Sequence, residues 1–183
     1  MATSADIETV LTSYVAGLLY PEDGPAFVPS FCIARGWPTE ADIRKAISQQ
    51  AGLVGVYAMA ETAKDITTTL RYWKTISPGM GVMEVGRMMQ GFRLDIWAPT
   101  PQSRDALLAV LMPGLKVKTR YALPDSSVAT LMKLQVTGPD DRPSHANEWA
   151  QSLELTMQYS LLYTQAQPVV TDVTPIISVI SSE

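Results

Sequence analysis

The clearest pattern along the chain is an alternation of apolar and polar side chains over residues 149–163. Successive side chains of a β-strand point to opposite faces, so the alternation predicts a strand with one apolar and one polar face. At about 3.3 Å per residue this strand would span roughly 50 Å, whereas most strands have about 5–6 residues. We therefore expect it to bend across two sheets or to pair in part outside its own domain. The apolar positions, with Gln151 out of pattern, are Trp149, Leu153, Leu155, Met157, Tyr159, Leu161 and Tyr163.

Two segments in the first third of the chain have the spacing of amphipathic helices, residues 4–19 and residues 40–50. The second lies between extended runs at 27–35 and 53–59, which predicts a strand–helix–strand unit. Both helices begin at residues whose side chains accept hydrogen bonds from the first turn. The predicted caps are Thr3 or Ser4 for the first helix, and Thr39, with Asp42 at capping-box spacing, for the second.

A third helix is predicted from the sequence Thr100-Pro101, which combines a cap with a proline at the first helical position. Its apolar side is expected to end at Pro113-Gly114. Further strands are predicted around it, over residues 82–89, 91–97, 115–121 and 128–136, the last with Val128, Met132, Leu134 and Val136 on one face.

Residues 60–80 show no clear period and are rich in threonine. We expect a long hairpin loop without an element of its own, and such loops are usually functional or mobile. Within it, Arg71, Tyr72, Trp73 and Lys74 place two aromatic side chains between two cations. These side chains could anchor an interface or fold back on the body, and the sequence leaves both interpretations open.

The last residues, 164–183, are rich in proline, threonine and β-branched residues and have no helical period. Pro168 and Pro175 exclude a central strand, so we expect an extended C-terminal arm after a single domain at 1–163. Its apolar side chains should lie on a neighbouring subunit or back on the body. The predicted interface residues are Arg71, Tyr72, Trp73, Lys74, Leu161, Leu162, Tyr163, Ile176, Ile177, Val179 and Ile180.

Composition narrows the functional classes. The 183 residues carry a formal net charge of −4, which argues against a general nucleic-acid binder but leaves room for a channel through which DNA passes. The start of the chain lacks a secretory signal, and no apolar run reaches the roughly 18 residues of a membrane span, so we expect folding in a reducing cytoplasm. Cys32, the only cysteine, is expected to be a buried, inert thiol.

Catalytic chemistry is sparse in the sequence. His145 is the only histidine, and with Asp140, Asp141 and Glu148 it could gather round an ion, but the spacing matches no ligand motif. We interpret this stretch as a polar hairpin loop. No nucleophile elbow and no phosphate-binding glycine loop is found, so we expect no catalytic residue, no metal and no cofactor. A small hydrolase built on His145 is the remote alternative.

Six stretches, which cover most of the chain, carry a family resemblance. They are ARGWPTEADIRKAISQQ (34–50), LVGVYA (53–58), TTTLRYWK (67–74), QGFRLDIWAPTPQSRDALLAVL (90–111), RYALPDSS (120–127) and LELTMQYSLLYTQAQP (153–168). In these stretches the chain resembles the tail-terminator, or tail-completion, proteins of long-tailed bacteriophages and prophages. The chain departs from that family over residues 60–80, where a basic, proline-containing loop is expected, and over 82–89, which looks trimmed.

The resemblance implies an α+β fold, with an antiparallel (mixed) β-sheet flanked by about three helices. It also implies a structural virion protein that forms a homo-oligomeric ring, expected to be a hexamer, at the end of the tail tube. The implied partners are the tail tube protein and the head–tail connector or neck protein, with genomic DNA passing through the lumen without sequence-specific binding. The expected location is the virion tail or neck, after assembly in the host cytoplasm. Another neck, head–tail joining, minor tail or baseplate protein remains the alternative.

Overall fold

A computed structural model of the chain describes residues 2–23, 31–66, 72–77, 80–137 and 149–166. Over these residues the chain forms the expected α+β fold, with helices on a mixed sheet of order β1-β2-β4-β7-β6-β5, and β3 paired to β4. β1 and β2 are parallel, and the other strand pairs are antiparallel. The elements are α1 (Ser4–Leu19), β1 (Phe31–Arg35), α2 (Glu40–Ser48), β2 (Gly52–Asp65), β3 (Tyr72–Ser77), β4 (Met80–Ala98), α3 (Pro101–Val117), β5 (Arg120–Ala122), β6 (Val128–Val136) and β7 (Trp149–Ala166).

Both predicted helix starts in the first third are capping boxes, and Thr3 rather than Ser4 caps α1. The Thr3 hydroxyl accepts a hydrogen bond from the Asp6 N–H at 3.3 Å, and the Asp6 carboxylate accepts one from the Thr3 N–H at 2.8 Å. The corresponding distances between Thr39 and Asp42 are 3.2 and 3.1 Å. Each box satisfies backbone N–H groups that a helix start leaves unpaired.

The second box makes a prediction about acid. Hydrogen bonds from the Thr39 hydroxyl and N–H hold the pKa of the Asp42 carboxyl below its ordinary value. Because that pKa is lower in the folded state, the carboxylate stabilises the fold at pH values above the pKa of the unfolded chain. This stabilisation is lost as the pH falls through the folded pKa. In a Thr39→Val variant, carboxyl NMR should show the Asp42 pKa rising toward its ordinary value. The Asp6 carboxyl, whose pKa is lowered by Thr3, is the internal control, and an unchanged Asp42 pKa would contradict the assignment.

The core lies between one face of the sheet and the helices α1 and α3. The central strands supply large apolar side chains to this face, and α2 covers a smaller cluster on the opposite face, around Leu53 and Trp97. The predicted strand–helix–strand unit is confirmed by the parallel register of β1 and β2. Among the largest fully enclosed side chains of the main core are Tyr121, Phe92, Ile7, Leu11, Leu19, Leu94, Ile96, Leu107, Leu111, Leu115, Leu153 and Leu155.

The predicted end of the third helix at Pro113-Gly114 is wrong, because α3 continues through both residues to Val117. Leu115 in the last turn is fully buried, and the Tyr14 hydroxyl donates to the Gly114 carbonyl at 2.9 Å. A Cβ on Gly114 would lie 2.5 Å from Leu18 Cδ1, so the glycine allows α1 and α3 to approach closely. These tertiary contacts outweigh the low helix propensity of proline and glycine. The strand predicted over 115–121 is therefore reduced to β5.

The expectation of a loop without its own element over residues 60–80 is also wrong. β2 continues to Asp65, β3 occupies Tyr72–Ser77, and both pair with β4. The two strands predicted over 82–89 and 91–97 are parts of the single strand β4. Bulges in β2 and β4 interrupt the two-residue period, which explains why the sequence hides the continuity.

The long alternating strand is confirmed as β7, with its odd-numbered side chains from 151 to 159 buried. It pairs with β4 over its whole length, from Trp149 opposite Ala98 to Ala166 opposite Met80. The length of β7 on its β4 side is therefore explained by pairing within the same chain. Gln151, the exception in the apolar series, is buried and donates to the Thr137 carbonyl, so its polarity is satisfied.

Two smaller expectations are corrected. In β6 a bulge at Met132 shifts the alternation, so Leu131 and Leu134 pack on the core while Val128, Met132 and Val136 are exposed. Cys32 is exposed, not buried. In β1, as in β6, the run of apolar residues does not show which side chains face the core. In β1 the buried side chain is Phe31, and Cys32 points to the other face.

Candidate assembly interface

One part of the sheet extends past the core. On β4 the main core begins at Met88, and on β7 it ends at Leu161. No described residue before Met88 on β4 or after Leu161 on β7 belongs to the main core cluster or packs on it. Farther along, β3, β4 and β7 continue as three paired strands, which we call the ribbon: residues 72–77, 80–86 and 162–166. Because it extends past the main core, the ribbon is a candidate surface for contacts outside the body.

Part of the predicted interface set meets in the ribbon. Met83 of β4 pairs with Trp73 of β3 on one side and with Tyr163 of β7 on the other. Lys74 pairs with Val82 in the next row. Of the rest, Tyr72 lies in β3, Leu161 and Leu162 in β7 are partly buried, and Arg71, Ile176, Ile177, Val179 and Ile180 lie outside the described residues.

Polar side chains fasten the base of the ribbon. Glu84 on β4 accepts a hydrogen bond from the Ser160 hydroxyl of β7 at 3.1 Å and forms an ion pair with Arg87. The hydrogen bond from Arg87, with a smaller contribution from Ser160, holds the pKa of the Glu84 carboxyl below its ordinary value. The two long strands are thus held together by side chains as well as by backbone pairing at this point.

Several edges of the sheet carry groups that block further strand pairing. Beside β1, the Tyr20 hydroxyl donates to the Phe31 carbonyl at 3.0 Å. Where β1 ends, the Ala58 N–H of β2 donates to the Glu8 carboxylate at 2.6 Å. Such blocks prevent sheets from adding strands without control. The sequence gives no local signal for the role of Glu8, which depends on how α1 docks on the sheet.

Bulges interrupt the other outer edges. In β2 the register shifts between Met59 and Lys64, and there the Thr62 hydroxyl accepts from the Gly91 N–H at 2.7 Å. β6 has its bulge at Met132, and the register of β3 shifts between Thr75 and Ser77. A bulge twists an edge away from regular pairing, so these strands are also poor templates.

The end of β7 differs from these edges. The Ser152 carbonyl accepts from the Thr137 N–H at 3.1 Å, so even-numbered residues of β7 direct their backbone groups away from β4. The pairing of β6 with β7 reaches Gln158, and no described strand covers β7 beyond it on that side. Leu162, Thr164 and Ala166 therefore present backbone groups on an edge whose own strand has no bulge, because the bulge opposite Leu161 and Leu162 lies in β4. We call this the open edge.

A second surface lies on the sheet face opposite the main core. Trp37 is 65% exposed and packs edge-on against Tyr57 and Trp97, with ring centroids 5.0 and 5.9 Å away. It borders a cleft of about 350 Å³ whose floor includes Arg93 and Asp95. An exposed tryptophan held by neighbouring rings is a common anchor at protein interfaces. No local pattern in the sequence marks Trp37 for this position.

The polar side chains on the floor of the cleft are linked by hydrogen bonds and an ion pair. Asp95 accepts hydrogen bonds from the Tyr57 hydroxyl at 2.5 Å and from the Ser152 hydroxyl. Arg93 Nε lies 3.0 Å from Asp95 Oδ1 as an ion pair, and Arg93 Nη2 donates to Ser152 Oγ at 2.8 Å. Burial, followed by the hydrogen bond and charge of Asp95, raises the pKa of the Tyr57 hydroxyl. Arg93 Nε makes no hydrogen bond despite its closeness to Asp95, but the other contacts link the members and hold the floor of the cleft in place.

The described residues contain no group of three or more histidine, cysteine, aspartate or glutamate side chains that could hold a metal ion. The candidate loop residues Asp140, Asp141, His145 and Glu148 lie outside the described part of the chain. Within that part, no helix is long and apolar enough to cross a membrane.

Comparison with known proteins adds little to these observations. No family model matches the chain, and no curated protein matches it. One solved structure is similar over 90% of this chain and 94% of its own, with 12% sequence identity and a TM-score of 0.44. Similarity at this level carries no argument about function.

Proposed function

We propose that the protein is a structural subunit of a phage tail, a tail terminator that forms a ring at the end of the tail tube. The ring joins the tail to the head connector, and genomic DNA passes through its lumen. The proposal rests on the family resemblance of the six sequence stretches. The structural observation that supports it best is the ribbon, which ends in an edge open to another strand.

The arrangement of surfaces fits a ring. A ring of identical subunits requires two different patches on each copy, which meet head to tail and close by rotation. The open edge of β7 and the Trp37 cleft are two such patches with different chemistry, one a row of backbone groups and the other aromatic. The blocked edges elsewhere would keep the same subunits from polymerising through wrong contacts.

The charge balance suits a lumen that lets DNA slide. The formal net charge of −4 gives no general excess of cations to hold phosphates, and strong binding would hinder passage. We expect no retention of DNA by the purified protein at physiological salt.

Native mass spectrometry and electron microscopy test the function directly. The purified protein, alone or with tail tubes, should form closed rings of one size, expected to be hexamers, and particles should carry the protein at the head-proximal end of the tail. Finding it at the baseplate, or absent from particles, would overturn the proposal. A His145→Ala variant should still assemble infectious particles, and a loss of infectivity with normal assembly would favour the enzymatic alternative.

A further inference from the structure

We propose that the open edge at Leu162, Thr164 and Ala166 binds the C-terminal residues 167–183 of a second copy as an added β-strand. This inference rests on the proposed ring and names the contact that builds it. The open edge differs from the other outer edges described above, because no described side chain caps its backbone groups and its own strand has no bulge there; the bulge opposite Leu161 and Leu162 lies in β4. An edge of this kind is a template for strand addition, in which main-chain hydrogen bonds supply the affinity.

The occupant is identified by the chain itself. Residues 167–183 follow the open edge directly and contain the run IISVI at 176–180, in which four of five side chains are β-branched. Such residues favour strands, and a run this long matches the edge. At about 3.3 Å per residue, an extended segment of this length spans roughly 50 Å, enough to reach a neighbouring copy.

The orientation of the edge provides a selective variant. Because the N–H of Leu162 points away from β4, Leu162→Pro removes a donor from the open edge and none from the β4–β7 pairing. Leu162→Ala is the matched control, since it shortens the same side chain and keeps the N–H. Native mass spectrometry of the full-length proteins should show self-association at least tenfold weaker for Leu162→Pro than for Leu162→Ala, with similar thermal transitions for the two.

A mixing experiment tests whether the strand comes from another copy. A second full-length variant, Ile177→Pro with Ser178→Pro, keeps the open edge but spoils the donated strand. Each variant alone should be monomeric. An equimolar mixture should form heterodimers, because the Leu162→Pro copy still donates a strand and the other copy still accepts one.

The outcomes separate this contact from the proposed function. Wild-type rings that persist in both variants would overturn the strand contact and leave the ring intact. A monomeric wild-type protein would mean that residues 167–183 bind no second copy, for example because they pair with the open edge of their own chain. This result would overturn both the strand contact and the proposed ring. If the Leu162→Pro protein loses both its rings and its thermal transition, the open edge is needed for folding of the single chain. This result would also overturn the strand contact.

Discussion

Replacing Phe92 with alanine should lower the free energy of unfolding by about 3–5 kcal/mol, the usual cost of emptying a buried phenylalanine site. Phe92 is fully buried in β4, between Ala58 of β2 and Leu155 of β7. The cavity would open where the two halves of the sheet meet beneath the helices, and strands paired on both sides cannot collapse into it. Urea unfolding followed by circular dichroism measures the change.

Two variants control for composition and position. Phe92→Leu keeps most of the volume, and we expect it to cost about 1 kcal/mol. Val128→Ala removes apolar atoms from a side chain that is 45% exposed, so its effect should stay within about 0.5 kcal/mol. A Phe92→Ala protein no less stable than Phe92→Leu would show that this part of the core is loosely packed.

Asp95→Ala should be the most damaging substitution on the opposite face, with an expected loss of about 2–3 kcal/mol. The change removes the acceptor of the Tyr57 and Ser152 hydroxyls and leaves the Arg93 guanidinium without its counter-charge. The estimate lies below that for a fully buried pair because the Arg93 side chain is 34% exposed and water can partly solvate it. The same change should lower the raised pKa of Tyr57, which spectrophotometric titration would detect.

The double variant Arg93→Met with Asp95→Ala separates the charge from the packing. If the cost comes from an unpaired guanidinium, removing Arg93 as well should restore part of the lost stability. A double variant less stable than Asp95→Ala would contradict this explanation. The packing of the Arg93 side chain, rather than its charge, would then be what supports the cleft beside Trp37.

Local signals in the sequence predicted much of the fold. The capping boxes at Thr3 and Thr39 depend on residues three apart, and the alternation in β7 depends on neighbours. Such patterns are complete within one segment, so the two helix starts and the strand β7 could be predicted without tertiary information, whereas the α+β class came from the family resemblance.

The failures share one physical origin, which is contact between distant segments. α3 passes Pro113 because Leu115 is buried and Gly114 lies against Leu18 of another helix. Within the 60–80 segment, the end of β2 and the strand β3 form because β4 supplies a pairing partner for each. The sequence also predicted Tyr163 and the end of β7 as an interface, yet it could not distinguish an open edge from the edges that Glu8 and Tyr20 block.

The pairing of β4 with β7 has a consequence for the order of events during synthesis. Met80 pairs with Ala166, and β7 lies at the centre of the sheet although it is made after every other described element. The sheet therefore cannot close before β7 has been made, and its long-range contacts should make folding slow. Nascent chains would leave one edge of β4 unpaired until β7 arrives, and unpaired strand edges are prone to aggregation. Residues 167–183 leave the ribosome only after β7, so the strand addition proposed above could begin only once the sheet can be completed.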